Sequence, residues 1–432
     1  MTALPLRAAI FPVTLLVFAA VGVRYFNALF TTNTRWLVLA LLMAWLLARR
    51  QFLLPLRAQF SLILLLDILW CLSTTLWSQA PELSLMKGVA FGLTSWTLTA
   101  AGMAWVQQRP GKSAMAYLLP ILVLALFAGL VGASGEVWSP EPHPERYRGL
   151  AGNPNYLGIL VAMALPYALY HAFGTRQRRQ SPTHRWIAAG IVTSFAALSW
   201  WSASRASVLC TLFIGTFFIL AAERRRSIRA VVLSATFALT AVIAVPAVLD
   251  ALNVTLIVRD DPNGDPFGSR RQPWEESYQA ALGAGALGVG YGVSAGIRYI
   301  SGGDAAFWLH LTANDYGREK GNAQLAVWEE TGLIGLVLYA VLLGEIILFL
   351  VSGFRRAATL DARLQIGLLA GALVGILAQS GFEAWWTSPG SVESAYFWST
   401  LGVATELIRR QRSAVQRTTM ARYPMLSHES AR

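Results

Sequence analysis

The sequence predicts an all-α integral membrane protein of about twelve transmembrane helices, with one long outer loop between the ninth and the tenth. Three observations carry that prediction. Of 432 residues, 55% are hydrophobic and only 13% charged, too apolar a balance for a water-soluble chain of this length. The apolar residues come in runs close to the length of about 20 that crosses the hydrocarbon. Basic residues gather in alternate connections between those runs.

A segment inside lipid must satisfy its own backbone N–H and C=O groups, so each run is expected to be helical. In chain order the runs begin near Leu6, Trp36, Phe60, Lys87, Ala114, Tyr156, Trp186, Ser207, Ala230, Ala323, Leu364 and Ala395. The first, MTALPLRAAIFPVTLLVFAA, has one preceding Arg and no small-residue cleavage pattern after it, so it reads as a retained helix. Trp186 to Trp201 carries several Ser, Thr and Ala residues and Ser394 to Leu407 is short, which points to tilt or shielding by neighbours. Cys71 and Cys210 fall inside predicted helices as small buried hydrophobes, with no disulfide framework or Cys-based metal site. Asp67 and Glu345 also lie inside predicted helices, where interhelical hydrogen bonding is favoured over a proton relay.

Orientation follows from the basic loops. With the N-terminus inside, the inner connections read ARRQFLLPLR, QQRPGK, GTRQRRQSPTHR, ERRRSIR and GFRRAATLDAR, and the tail contains RRQR. This arrangement places 23 of the 35 Lys and Arg inside and the other 12 outside. The net charge of +12 is then expected to reflect topology and contact with membrane lipids of anionic headgroup. No nucleic-acid partner is expected, because the basic clusters are short and lack interleaved aromatics. The chain divides into helices 1–5 (residues 1–133), helices 6–9 with an outer loop (134–249), the long outer region (250–321), helices 10–12 (322–409) and a basic cytoplasmic tail (410–432). No sustained internal repeat of the kind that marks inverted-repeat transporters is visible.

Three polar segments share the outer side: EVWSPEPHPERYRGLAGNPN, the turn SASRAS, and the region 250–321. Long ordered loops are usually functional, so the candidate site faces outward, toward the periplasm if the cell is bacterial. Within the long region, Trp274 to Leu282 has the spacing of a helix lying along the membrane surface. The acidic DDPNGD does not match an EF-hand loop and reads as an exposed Asx-rich turn. Trp200, Trp201, Trp385 and Trp386 read as interfacial anchors, the last two near enough to Glu383 to meet a sugar.

GNPNYLG (Gly152 to Gly158), the Arg of SASRAS, SRRQPW, GVGYG (Gly288 to Gly292) and N-x-x-L-x-x-x-E-E-T-G-L-I-G (Asn322 to Gly335) occur in this order. Together they resemble the O-antigen ligase and polymerase superfamily of bacterial membrane glycosyltransferases. The resemblance covers roughly 146–343, and before residue 130 it is one of hydropathy only. It implies a GT-C-type helical fold in the inner membrane, both termini cytoplasmic. It further implies an undecaprenyl-diphosphate-linked glycan as donor, lipid A-core oligosaccharide or a second lipid-linked glycan as acceptor, and inversion without a metal or cofactor.

The resemblance also implies roles for particular residues. Arg205, Arg270, Arg271 and Arg148 are candidates to hold the diphosphate, since a guanidinium offers a planar fork for phosphate oxygens. The plain alternative for each is anchoring to lipid headgroups. Gly152 and Pro154 set a tight helix start that Asn153 and Asn155 can cap, and a helix N-terminus after Arg146 and Arg148 suits an anion or a sugar hydroxyl. Asn322 opens the last motif with an acceptor-contacting or structural role. In many members a His directly precedes that Asn; here Gly321 stands there. His310 is then the candidate general base, with His143 a weaker one and Glu329 or Glu330 as substitutes. A ligase is the leading expectation, an O-antigen or exopolysaccharide polymerase the alternative. A lipid-linked glycan flippase or transporter is the rival class that Asp67 and Glu345 keep open.

Overall fold

In a computed structural model of the chain, residues 6–26, 29–109, 113–130, 146–174, 182–223, 225–244, 268–296 and 320–422 are described. Their α-helices are α1 (Leu6–Ala20), α2 (Thr32–Ala48), α3 (Ser61–Ser73), α4 (Pro81–Gln107), α5 (Leu119–Leu130), α6 (Pro154–Phe173), α7 (Pro182–Trp201) and α8 (Arg205–Ala222). There follow α9 (Arg226–Ala244), α10 (Gly268–Ala284), α11 (Ala323–Arg355), α12 (Leu360–Gln379) and α13 (Val392–Arg422). No strand occurs among the described residues; Val23 and Ala151 form one isolated bridge. Every apolar run becomes a helix, and α10 contains the expected Trp274 to Leu282 segment. The helices α4, α6, α8, α11 and α12 are each long and apolar enough to cross a membrane, and α1, α2, α3, α5 and α7 are shorter apolar companions. The described residues are all-helical, with the long apolar helices of a membrane protein.

Small residues set how closely the helices approach. Gly367, Gly371 and Gly375 form a ridge along α12 that lies against Phe217, Ile214 and Cys210 of α8. Gly102 and Gly402 let the backbones of α4 and α13 touch. Such small-residue seams are how helices associate where lipid removes the hydrophobic drive between them. Apolar side chains on the outer faces remain uncovered, with Phe237 78% and Leu62 68% exposed.

Polar contacts sort to the two ends of the bundle. At one end Gln108 donates to Gln51 (3.1 Å), Tyr170 to Asp361 (2.8 Å), and Arg363 to the Ala221 carbonyl (2.7 Å). These residues adjoin the basic connections. At the other end Arg35 donates to the Gly390 carbonyl (2.6 Å), Gly152 N–H to Gly22 O (2.9 Å) and Asn322 to Gly381 O (3.1 Å). These adjoin the polar segments, as an up-and-down threading requires.

Three expectations within helices resolve here. Cys71 and Cys210 are buried and free. Glu345 accepts from Gln59, in the turn before α3, at 3.0 Å, so its partner comes from a connection and not from a helix. Asp67 is buried at 3% exposure, but its Oδ2 finds no hydrogen-bond donor among the described residues. Trp200 and Trp201 are exposed, whereas Trp385 and Trp386 are buried in an aromatic cluster with Phe397 and Trp398. Trp385 and Trp386 therefore serve packing and not an interfacial belt.

Candidate functional site

The polar end of the bundle is built around a break in α11. At Gly332 the backbone leaves helical geometry (φ 69°, ψ −172°). Such a break strands carbonyls and N–H groups, which inside a membrane protein must find other partners. The loop after α10 supplies them: Val289 N–H and Gly290 N–H donate to the carbonyls of Glu329 and Glu330, both at 3.0 Å. In return, Leu333 and Ile334 N–H reach the carbonyls of Gly285 (3.4 Å) and Ala286 (3.3 Å). The loop follows this path because Gly288, Gly290 and Gly292 all take positive φ. A Cβ at Gly332 would overlap the Ala286 carbonyl. Gly332→Ala is expected to cost about 1–3 kcal/mol, checked as a lowered melting midpoint in detergent.

Side chains lock the same node. Glu330 accepts from Gly292 N–H (2.6 Å) and from Lys320 (2.5 Å). Glu329 accepts from Ala295 N–H (2.7 Å), with Lys320 Nζ at 3.7 Å. Lys320 also donates to Val293 O (2.8 Å), and Lys87 of α4 donates to Gly292 O (3.2 Å). Both acids and Lys320 are buried. Burial, aided by nearby Glu330, holds the Tyr291 hydroxyl well above the usual phenol range, so it stays a donor to Trp386 O (3.2 Å).

A second cluster joins the first two polar segments. Arg146 donates through Nε to Ser202 O (3.1 Å) and through Nη2 to Asn155 Oδ1 (2.7 Å). Tyr147 N–H reaches Trp201 O (3.0 Å). These bonds fasten the loop ahead of α6 to the turn between α7 and α8. Asn153 caps α6 by accepting from Tyr156 N–H (2.8 Å), and Ser204 caps α8, which opens on Arg205. Gly158 allows α6 to press on Ser202 and Ser207. The third motif reaches this end through α12: Ala323 N–H donates to Ser380 O (2.8 Å), and Gln324 to the Ser380 hydroxyl (2.8 Å).

Asn153 thus caps a helix, Asn155 anchors Arg146, and Asn322 caps α11 by accepting from Leu325 N–H (2.9 Å). Arg148 is buried in the loop ahead of α6, and Arg205 is half-buried at the start of α8. Arg270 and Arg271 lie in the first turn of α10, with side chains outside the described set. His310, His143 and the DDPNGD segment lie outside the described residues. Glu329 and Glu330, the substitute base candidates, sit together, and their carboxylates carry backbone N–H groups and Lys320. Lys320 and Lys87 escaped the sequence reading. Lys320 is two residues before the Asn322 cap, and a lone Lys ahead of an apolar run carrying two acids is its only signal. No protein-family model matches the chain, and no curated protein matches it either.

Proposed function

We propose that this chain is an O-antigen ligase-like glycosyltransferase of the bacterial inner membrane, threaded about twelve times in a GT-C-type arrangement, with both termini cytoplasmic and its site periplasmic. It moves a glycan from undecaprenyl diphosphate to lipid A-core oligosaccharide. One observation carries the reading: arginines occupy the first turns of helices that contain no acid there, Arg205 in α8 and Arg270 and Arg271 in α10. A guanidinium beside the N–H groups of a helix start suits an anion such as a diphosphate. The fastening of the GNPN loop to the SASRAS turn through Arg146 supports the same reading, since it sets buried Arg148 and Arg205 at one end of the bundle.

In this reading the arginines hold the diphosphate and stabilise its charge as it leaves, the term that usually dominates such transfers. The acceptor hydroxyl attacks the anomeric carbon from the opposite face, with inversion and without a metal. The test is reconstitution of the full chain in liposomes with undecaprenyl-diphosphate-linked glycan, with and without lipid A-core, read by gel mobility and mass. Glycan on lipid A-core is the expected result. Longer glycan still on the carrier identifies a polymerase, and no transfer by folded protein overturns the enzyme reading in favour of transport.

A further inference from the structure

At the end of the bundle that adjoins the basic connections, the last turns of α11 lie against α13. A Cβ at Gly353 would overlap Ile408, so the two helices touch there. One turn beyond Ile408, Arg412 reaches back to α11. Its Nη2 donates to Ser352 Oγ (3.2 Å), and its guanidinium lies 5.3 Å over the Phe349 ring. Phe60 holds that ring edge-on, with centroids 6.0 Å apart. The guanidinium is thus fixed in place without a carboxylate. Arg412 makes no ion pair among the described residues, and its buried Nε finds no acceptor among them.

More positive charge stands on the same two helices. Arg355 and Arg356 are exposed at the end of α11, and Arg409 and Arg410 precede Arg412 on α13. Two acids accompany these five arginines. Glu406 accepts from Arg409 (2.7 Å), with Arg410 at 3.7 Å, and Glu345, two turns below Ser352 on α11, accepts from Gln59 (3.0 Å). The surplus is cationic.

The helical repeat supplies the apolar half of a site. Leu348, Val351, Ser352 and Arg355 recur at spacings of three and four and so share one face of α11. Leu348 is 63% exposed and Val351 37%, both within a helix long and apolar enough to cross a membrane. Along that face apolar side chains come first, then a hydroxyl bearing the Arg412 fork, then an exposed cation. An amphiphile with an anionic head matches this order, its acyl chain along Leu348 and Val351 and its phosphate at the guanidinium. A guanidinium fork fits phosphate oxygens, and basic pockets between membrane helices hold anionic headgroups. A soluble anion would leave the apolar strip without a role. We propose that this face of α11, completed by Arg412 of α13, binds one anionic phospholipid, with Arg412 and Arg355 receiving its phosphate. The proposal stands apart from the glycan-transfer reading and needs only that the chain lies in a bilayer.

The test is native mass spectrometry of the full chain in detergent, titrated with phosphatidylglycerol or with phosphatidylcholine. Wild-type protein is expected to retain one phosphatidylglycerol about tenfold more tightly than phosphatidylcholine. Arg412→Met keeps an unbranched side chain over Phe349 and is expected to lose about tenfold in phosphatidylglycerol affinity, with phosphatidylcholine unchanged. Arg355→Gln, at an exposed position, is expected to lose about fivefold and carries the test should Arg412→Met fold poorly. Arg226→Gln, on α9, is the control that keeps wild-type affinity and separates a site from the general pull of basic residues. Equal retention of the two lipids overturns the proposal. So does unchanged phosphatidylglycerol affinity in folded Arg412→Met and Arg355→Gln. Full displacement of the lipid by an equal concentration of inorganic phosphate shows a site for free anions and overturns the lipid assignment.

Discussion

Lys320→Ala is expected to destabilise the folded chain by about 3–5 kcal/mol, the cost of removing one partner from a buried ion pair. Glu329 and Glu330 are 0% and 2% exposed, and Lys320 pairs with both. Without it, two acids share a buried site, and the Val293 carbonyl loses its donor as well. Lys87 donates to the Gly292 carbonyl and also feels the charge of Glu330, so it offsets part of the loss. The check is thermal unfolding in detergent, beside a triple variant, Lys320→Met with Glu329→Gln and Glu330→Gln. Replacing a whole buried ionic group is far milder than breaking it, so the triple variant should recover much of the loss. A loss below about 1 kcal/mol in Lys320→Ala would show that this pair does not hold the node.

Arg205→Ala is expected to reduce glycan transfer by about 100-fold or more, the usual scale for deleting one group that stabilises a developing oxyanion. Lost transfer by a variant that inserts and folds normally, checked by its melting midpoint in detergent, separates a ligand-binding role from headgroup anchoring. Arg270→Ala should behave alike, for α10 has the same arrangement. Full transfer activity in both purified variants would eliminate the diphosphate clamp.

Helix positions were legible in the sequence because lipid imposes a single requirement, a long apolar run, on each of them. Capping was legible at Asn153, which acts within three residues of itself, but not at Asn155, the other expected cap, whose amide oxygen accepts from Arg146 instead. The break in α11 was not legible either. Gly332 sits in an apolar run that reads as continuous helix, and its left-handed backbone is set by a loop some forty residues earlier. Long-range pairing also hid the fate of Glu329 and Glu330, since spacing on one helix does not disclose that Lys320 folds back onto them. Trp385 and Trp386 misled because an aromatic pair near a helix end has the composition of an interfacial belt, whereas a short 3-10 turn at Trp385–Thr387 directs both into the core.

The junction between the loop after α10 and the break in α11 has a consequence for how the sequence can drift. Its four cross-links are made by main-chain atoms alone, Val289 and Gly290 to Glu329 and Glu330, and Leu333 and Ile334 to Gly285 and Ala286. Side-chain identity at Val289, Leu333 or Ile334 is therefore loosely constrained, while spacing is not. One residue inserted between 286 and 289, or between 330 and 333, shifts the register of the whole set at once. This part of the chain should tolerate substitution far better than it tolerates a change of length.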